Sequence, residues 1–135
     1  MNEQEIHHLL YDIPENVDYT DIPQELDLED VSKERVDKLR DLLHSDDLAV
    51  RFDAALLLTN WGVEDGLNTL IDLFEKGETK GFIPHHLHPY DDTNKHILDA
   101  LIGYWASQTD LHKEQEARKR IYPTIISIIK QAVHS

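Results

Sequence analysis

Between Ser32 and Gly77 the apolar residues recur at the three- and four-residue spacing of an α-helix, and the run is punctuated by residues that stop helices. Ser32 is an N-cap residue type, and Val36, Leu39, Leu42 and Leu43 follow on one face through about His44. Asp46 or Asp47 opens a second helix to about Trp61, with Val50, Ala54, Ala55, Leu57, Leu58 and Trp61 as its apolar set. Gly62 supplies the left-handed conformation that closes a helix. A third helix, roughly Glu64 to Lys76, presents Leu67, Leu70, Ile71 and Phe74 and is closed by Gly77. Breaks this short make consecutive helices antiparallel neighbours. The pattern therefore commits the chain to packed helical hairpins.

The rest of the chain extends that reading. Glu3 to Tyr11 forms a short helix with Ile6, Leu9 and Leu10 on one side, and Pro14 ends it. Asp12 to Asp30 holds Pro14, Pro23, eight acids and isolated apolar residues (Val17, Tyr19, Ile22, Leu26, Leu28), a mixture that predicts an extended or irregular segment pinned by its apolar side chains. Glu78 to Asp92 reads as an ordered loop, because Phe82, Ile83, Leu87 and Tyr90 are costly to leave in water. Thr93 caps a helix to about Gln108 with Ile97, Leu98, Leu101, Ile102 and Trp105 facing inward. A further helix runs from Asp110 to about Tyr122, and a terminal one follows Pro123 or is kinked by it. The expectation is an all-α domain of six or seven helices over 1–135: an acidic N-terminal helix and irregular segment (1–31), the most regular hairpins (32–77), a His/Pro loop (78–92) and C-terminal helices (93–135).

Charge and composition narrow the function. Residues 1–30 contain ten Asp or Glu and no Lys or Arg, so they carry −10 of the formal net charge of −14. Such a field repels phosphate backbones and anionic lipid heads and favours a basic partner. The chain has no cysteine, which excludes disulfides, thiolate nucleophiles and cysteine-ligated metals. No apolar run approaches the ~20 residues of a membrane span. The first residues carry acids where a secretory signal carries positive charge, so the sequence reads as cytoplasmic.

Residues Val36 to Phe74 resemble HEAT repeats, helical hairpins that stack into a solenoid with a binding face. The resemblance rests on Leu39, Leu42 and Leu43, on Asp47-x-x-Val50-Arg51 opening the second helix, on Ala54-Ala55 with Leu58, on Gly62, and on Gly66-Leu67-x-x-Leu70-Ile71. It covers about a third of the chain. The spacing has physical reasons: Asp47 caps, Val50 and the alanines allow close helix approach, and Arg51 braces carbonyls or acids of a neighbouring repeat. The stretch from Gly77 to Asp92 breaks the period, so the resemblance implies a short, irregular HEAT-like bundle. It also implies a protein-binding module, since HEAT-like domains mostly bind proteins, while a few are lyases or nucleic-acid enzymes.

The candidate partner surface is the acidic segment, with Asp18, Tyr19, Asp21, Glu25, Asp27, Glu29 and Asp30 as its contact residues. The competing reading is a solvated, solubilising arm. A possible recognition loop comprises His85, His86, His88, Tyr90, Asp91 and Asp92, near His96. Its spacing matches no established zinc ligand set, so no metal and no cofactor is expected. Trp61 and Trp105 lie on apolar faces and are expected in the core. Arg118-Lys119-Arg120 is the sole basic cluster, expected to serve a helix terminus or to pair with the acidic arm. No Gly-x-Ser-x-Gly, phosphate-cradling loop or His-Glu-x-x-His occurs. The expectation is a non-catalytic binder of a basic protein, most concretely an immunity protein that occludes the basic cleft of a bacterial toxin attacking nucleic acids. The alternatives are a HEAT-like adaptor or scaffold, and a HEAT-like lyase or metal-dependent enzyme using His85 to Asp92.

Overall fold

The computed structural model describes residues 1–79 and 93–134 and contains six α-helices and two short 3-10 turns, with no strand among the described residues. The helices are α1 (Glu3–Tyr11), α2 (Lys33–Leu42), α3 (Leu48–Asn60), α4 (Glu64–Glu75), α5 (Thr93–Asp110) and α6 (Glu114–His134). The 3-10 turns, Pro23–Glu25 and Leu28–Asp30, organise the acidic segment before α2.

Of the caps expected from sequence, those at Ser32 and Asp47 form, and Asn2 supplies one that the sequence reading did not name. Asn2 accepts from the Glu5 amide, Ser32 from the Arg35 amide, and Asp47 Oδ1 from the amides of Ala49 and Val50 at 3.0 and 3.4 Å. The α3–α4 turn depends on two glycines. Gly62 has φ +84°, and a Cβ there would lie 2.3 Å from Ser107 Oγ on α5. At Gly66 a Cβ would lie 2.4 Å from Leu58 Cβ, so the absence of a side chain lets α4 press directly onto α3.

α3 is the centre of the molecule. It packs against α1, α2, α4, α5 and the first 3-10 turn. The sequence names Val50, Ala54, Ala55, Leu57, Leu58 and Trp61 as the apolar set of this helix, and the buried residues within it are Phe52, Ala54, Ala55, Leu56, Leu57, Leu58 and Thr59. A helix surrounded by neighbours is apolar all round, which is why Phe52 and Leu56 join the expected set. Thr59 satisfies its hydroxyl within the helix by donating to the Ala55 carbonyl at 2.6 Å. The faces read from α2 and α4 are buried as expected: Val36, Leu39, Leu42 and Leu43 on one, Leu67, Leu70, Ile71 and Phe74 on the other.

The C-terminal hairpin departs from expectation. α6 runs unbroken from Glu114 to His134 with Pro123 inside it, so of the two readings offered by the sequence the helix continues through the proline. α5 ends in the turn Leu111–Lys113, where His112 takes φ 58° and the Lys113 amide donates to the Gln108 carbonyl at 2.8 Å. On α5, Ile97 and Leu101 are buried, but Ile102 and Trp105 point outward, at 52% and 40% exposure. α5 meets α3 along one face and α6 along another, and these two residues lie on the outer edge of the α5–α6 seam.

Candidate functional site

The acidic segment is fixed to the helical body by a small number of contacts. Leu26 is 4% exposed and belongs to the core, and Val17 packs against it from the start of the segment. The indole N–H of Trp61, itself 3% exposed at the end of α3, donates to the Pro23 carbonyl at 2.9 Å. Beneath this contact Arg35 of α2 places its guanidinium 5.3 Å from the Trp61 ring centroid. Its Nε donates to the Leu9 carbonyl at 2.9 Å, so one side chain ties α1, α2 and α3 together. Burial lowers the Arg35 pKa and the Asp12 carboxylate opposes that shift. A guanidinium titrates so far above neutrality that Arg35 stays a cation.

Hydrogen bonds shape the segment internally. The Tyr19 hydroxyl accepts from the Asp27 amide at 2.9 Å and donates to Asp30 Oδ2 at 2.8 Å, tying the start of the segment to both ends of the second 3-10 turn. The Asp27 amide, the largest single influence, favours the phenolate, but desolvation and the Asp30 and Asp27 carboxylates outweigh it and raise the Tyr19 pKa. The hydroxyl thus remains a donor at neutral pH. Thr20 donates to Glu25 Oε1 at 2.8 Å and accepts from the Ile22 amide at 3.0 Å. These bonds leave Asp18, Asp21, Glu25, Asp27 and Glu29 exposed, with Asp30 half-buried.

The carboxylates are not neutralised within the fold. Glu5 pairs with Lys38 at 3.5 Å, and Asp12 lies 3.0 Å from the His8 ring nitrogen, a contact that is an ion pair only when the imidazole is protonated. From Glu15 to Asp30, no acid forms an ion pair among the described residues. Asp27, Glu29 and Asp30 each bring an oxygen within 4.8 Å of the others, concentrating negative charge on the second turn. Exposed acids cluster in this way without a metal, and the arrangement carries no metal assignment.

The segment also forms one wall of a groove of about 630 Å³. Gln24 to Glu29 face Gly103, Ala106, Ser107, Gln108 and Leu111 of α5 and its following turn, with Asn60, Trp61 and Gly62 between them. Gln108 Nε2 donates to the Gly62 carbonyl at 3.3 Å across the groove base. Small residues on this side of α5 keep the groove open. Sequence reasoning assigned no role to that α5 face, to Arg35, or to the Trp61 indole N–H. The Gly103, Ala106, Ser107 spacing was the available signal for the groove wall.

Other candidates are placed differently. His85, His86, His88, Tyr90, Asp91 and Asp92 lie outside the described residues. Asp47 and Gly62 take the cap and turn geometry their types require, and Val50 is half-buried against the core. Arg51 does not brace a neighbouring carbonyl or acid among the described residues, and its Nε is buried without a hydrogen-bond partner there. Arg35 performs that bracing instead. Arg118, Lys119 and Arg120 sit in the first half of α6, away from its C-terminus, and none pairs with the acidic segment among the described residues. Arg120 donates to Asn68 Oδ1 at 3.2 Å. No described helix is long and apolar enough to cross a membrane. Comparison with protein-family models, curated proteins and solved structures returned no match.

Proposed function

We propose that this protein is a non-catalytic, HEAT-like binding module whose acidic edge covers the basic surface of a protein partner. The carrying observation is the Glu15 to Asp30 run, held to the core through Leu26 and Trp61, with no ion pair to its carboxylates among the described residues. A tethered edge costs less entropy to dock than a free arm, and its unpaired charges speed encounter with a cationic surface by ~10 to 10³. The groove between this edge and α5 accepts long cationic side chains whose stems lie along Leu26, Leu28 and Leu111. In its most concrete form the partner is a toxin domain that attacks nucleic acids, and this protein acts as its cytoplasmic immunity protein by filling the basic cleft. A second reading, a HEAT-like adaptor for two partners, is favoured by the exposed apolar residues of α5 and α6.

The test is inhibition. Purified nucleic-acid-cleaving toxin domains of basic pI are titrated with the protein, and a cognate domain is expected to be blocked at one-to-one stoichiometry. Replacing Asp18, Asp21, Asp27 and Asp30 together by Asn is expected to slow association about tenfold at low salt, with the gap closing as salt screens the field. Failure to inhibit any such domain, or an association rate indifferent to the four substitutions, refutes the reading.

A further inference from the structure

The outer face of the α5–α6 hairpin is apolar where a surface is ordinarily polar. Ile102, Trp105, Tyr122 and Ile129 are 52%, 40%, 53% and 49% exposed. Ile102, Trp105, Ile121, Tyr122 and Ile125 enclose a hollow of about 390 Å³ between the helices. A second hollow of about 550 Å³ lies on the other side of Tyr122, against Gln115, Lys119 and Pro123. Arg118 lines both. Among the described residues, Arg118 and Lys119 are the only charged ones lining either hollow, and neither forms an ion pair there. On a chain of formal net charge −14, this is an apolar groove whose charged lining, among the described residues, is cationic.

We propose that the groove docks an acidic amphipathic helix of a partner protein. An aliphatic or aromatic side chain fills the hollow among Ile102, Trp105 and Tyr122, while a carboxylate one turn away meets the Arg118 guanidinium in a paired hydrogen bond. Charge complementarity selects this occupant: a basic helix is repelled by Arg118 and Lys119, and a second copy of the chain is disfavoured by the mutual repulsion of two strongly anionic molecules. The groove shares no residue with the acidic edge, so the two surfaces succeed or fail independently.

Trp105 is a built-in reporter, because the only other tryptophan, Trp61, is already buried. The probe is a 15-residue tryptophan-free helical peptide with Leu and Phe at positions i, i+3, i+4 and i+7 and Glu on the flanking positions, compared with its Glu-to-Lys twin. The acidic peptide is expected to shift Trp105 emission to the blue saturably and to bind at least tenfold more tightly than the twin. Arg118→Glu is expected to reverse that preference without altering the circular dichroism spectrum, and Ile102→Glu to abolish binding of both. Equal affinity for the two peptides, no saturable emission change, a homodimer by light scattering that the peptide does not dissociate, or phosphatidylglycerol vesicles displacing the acidic peptide would each overturn the proposal.

Discussion

Replacing Trp61 by Phe tests whether the acidic edge is truly part of the folded body. The substitution removes the indole N–H that meets the Pro23 carbonyl at 2.9 Å and weakens the ring face beneath the Arg35 guanidinium. An abandoned buried carbonyl costs about 1–3 kcal/mol. Because this bond is only part-buried, water relieves some of that, and the lower half of the range applies. The ring atoms lost from a site 3% exposed leave a small void worth about 1 kcal/mol more. The expected loss is roughly 2 kcal/mol. With unfolding entropy of about 2.1 cal/mol/K per residue, a chain of this length loses ~7 °C in Tm. The assay is thermal melting by circular dichroism, with glutamyl-endopeptidase cleavage after Glu25 and Glu29 as a local probe. Cleavage there is expected to accelerate more than cleavage after Glu75 at the end of α4. A Tm within 1 °C of the parent, or cleavage that accelerates equally everywhere, would refute the claim that this bond tethers the edge.

Two further perturbations follow from the same geometry. Gly62→Ala places a Cβ 2.3 Å from Ser107 Oγ at φ +84° and is expected to cost about 2–4 kcal/mol in denaturant titration; adding Ser107→Ala should recover about 1 kcal/mol of that, since only the hydroxyl part of the conflict is relieved. Asp53 of α3 has a carboxyl pKa raised by burial and then by the Asp47 charge, so its favourable contribution is complete below the unfolded carboxyl pKa and is lost as pH rises through the folded one. Asp53→Asn is therefore expected to raise Tm at pH 7, with the gain vanishing towards pH 3 in a melting series.

The helices of the Ser32 to Gly77 stretch were legible because their signals are local. Ser32, Asp47, Gly62 and Gly77 act on their own backbone, and the apolar spacing of α2 and α4 points one face inward whatever the partner. The acidic edge was legible in kind, since ten acids with no Lys or Arg among thirty residues leave little local means of neutralisation. Its attachment was not. Trp61 meets Pro23 across 38 positions, and Arg35 reaches Leu9 across 26, distances over which no periodicity carries information.

Exposure on α5 and α6 shows the same division from the other side. Ile102 and Trp105 belong to an apolar pattern indistinguishable in sequence from that of Ile97 and Leu101, yet only the latter pair reaches the core. Pro123 reads as either a helix boundary or a kink, and packing of α6 along α5 accompanies a helix that continues through it. The sequence by itself determined the all-helical class, the caps, and the sign and location of the charge, because propensity, capping and Coulomb fields depend on residues near one another in the chain. The tertiary structure alone decided which apolar faces stay wet, how the acidic segment is anchored, and that cations rim a separate apolar groove, because burial is a property of how many neighbours an element receives.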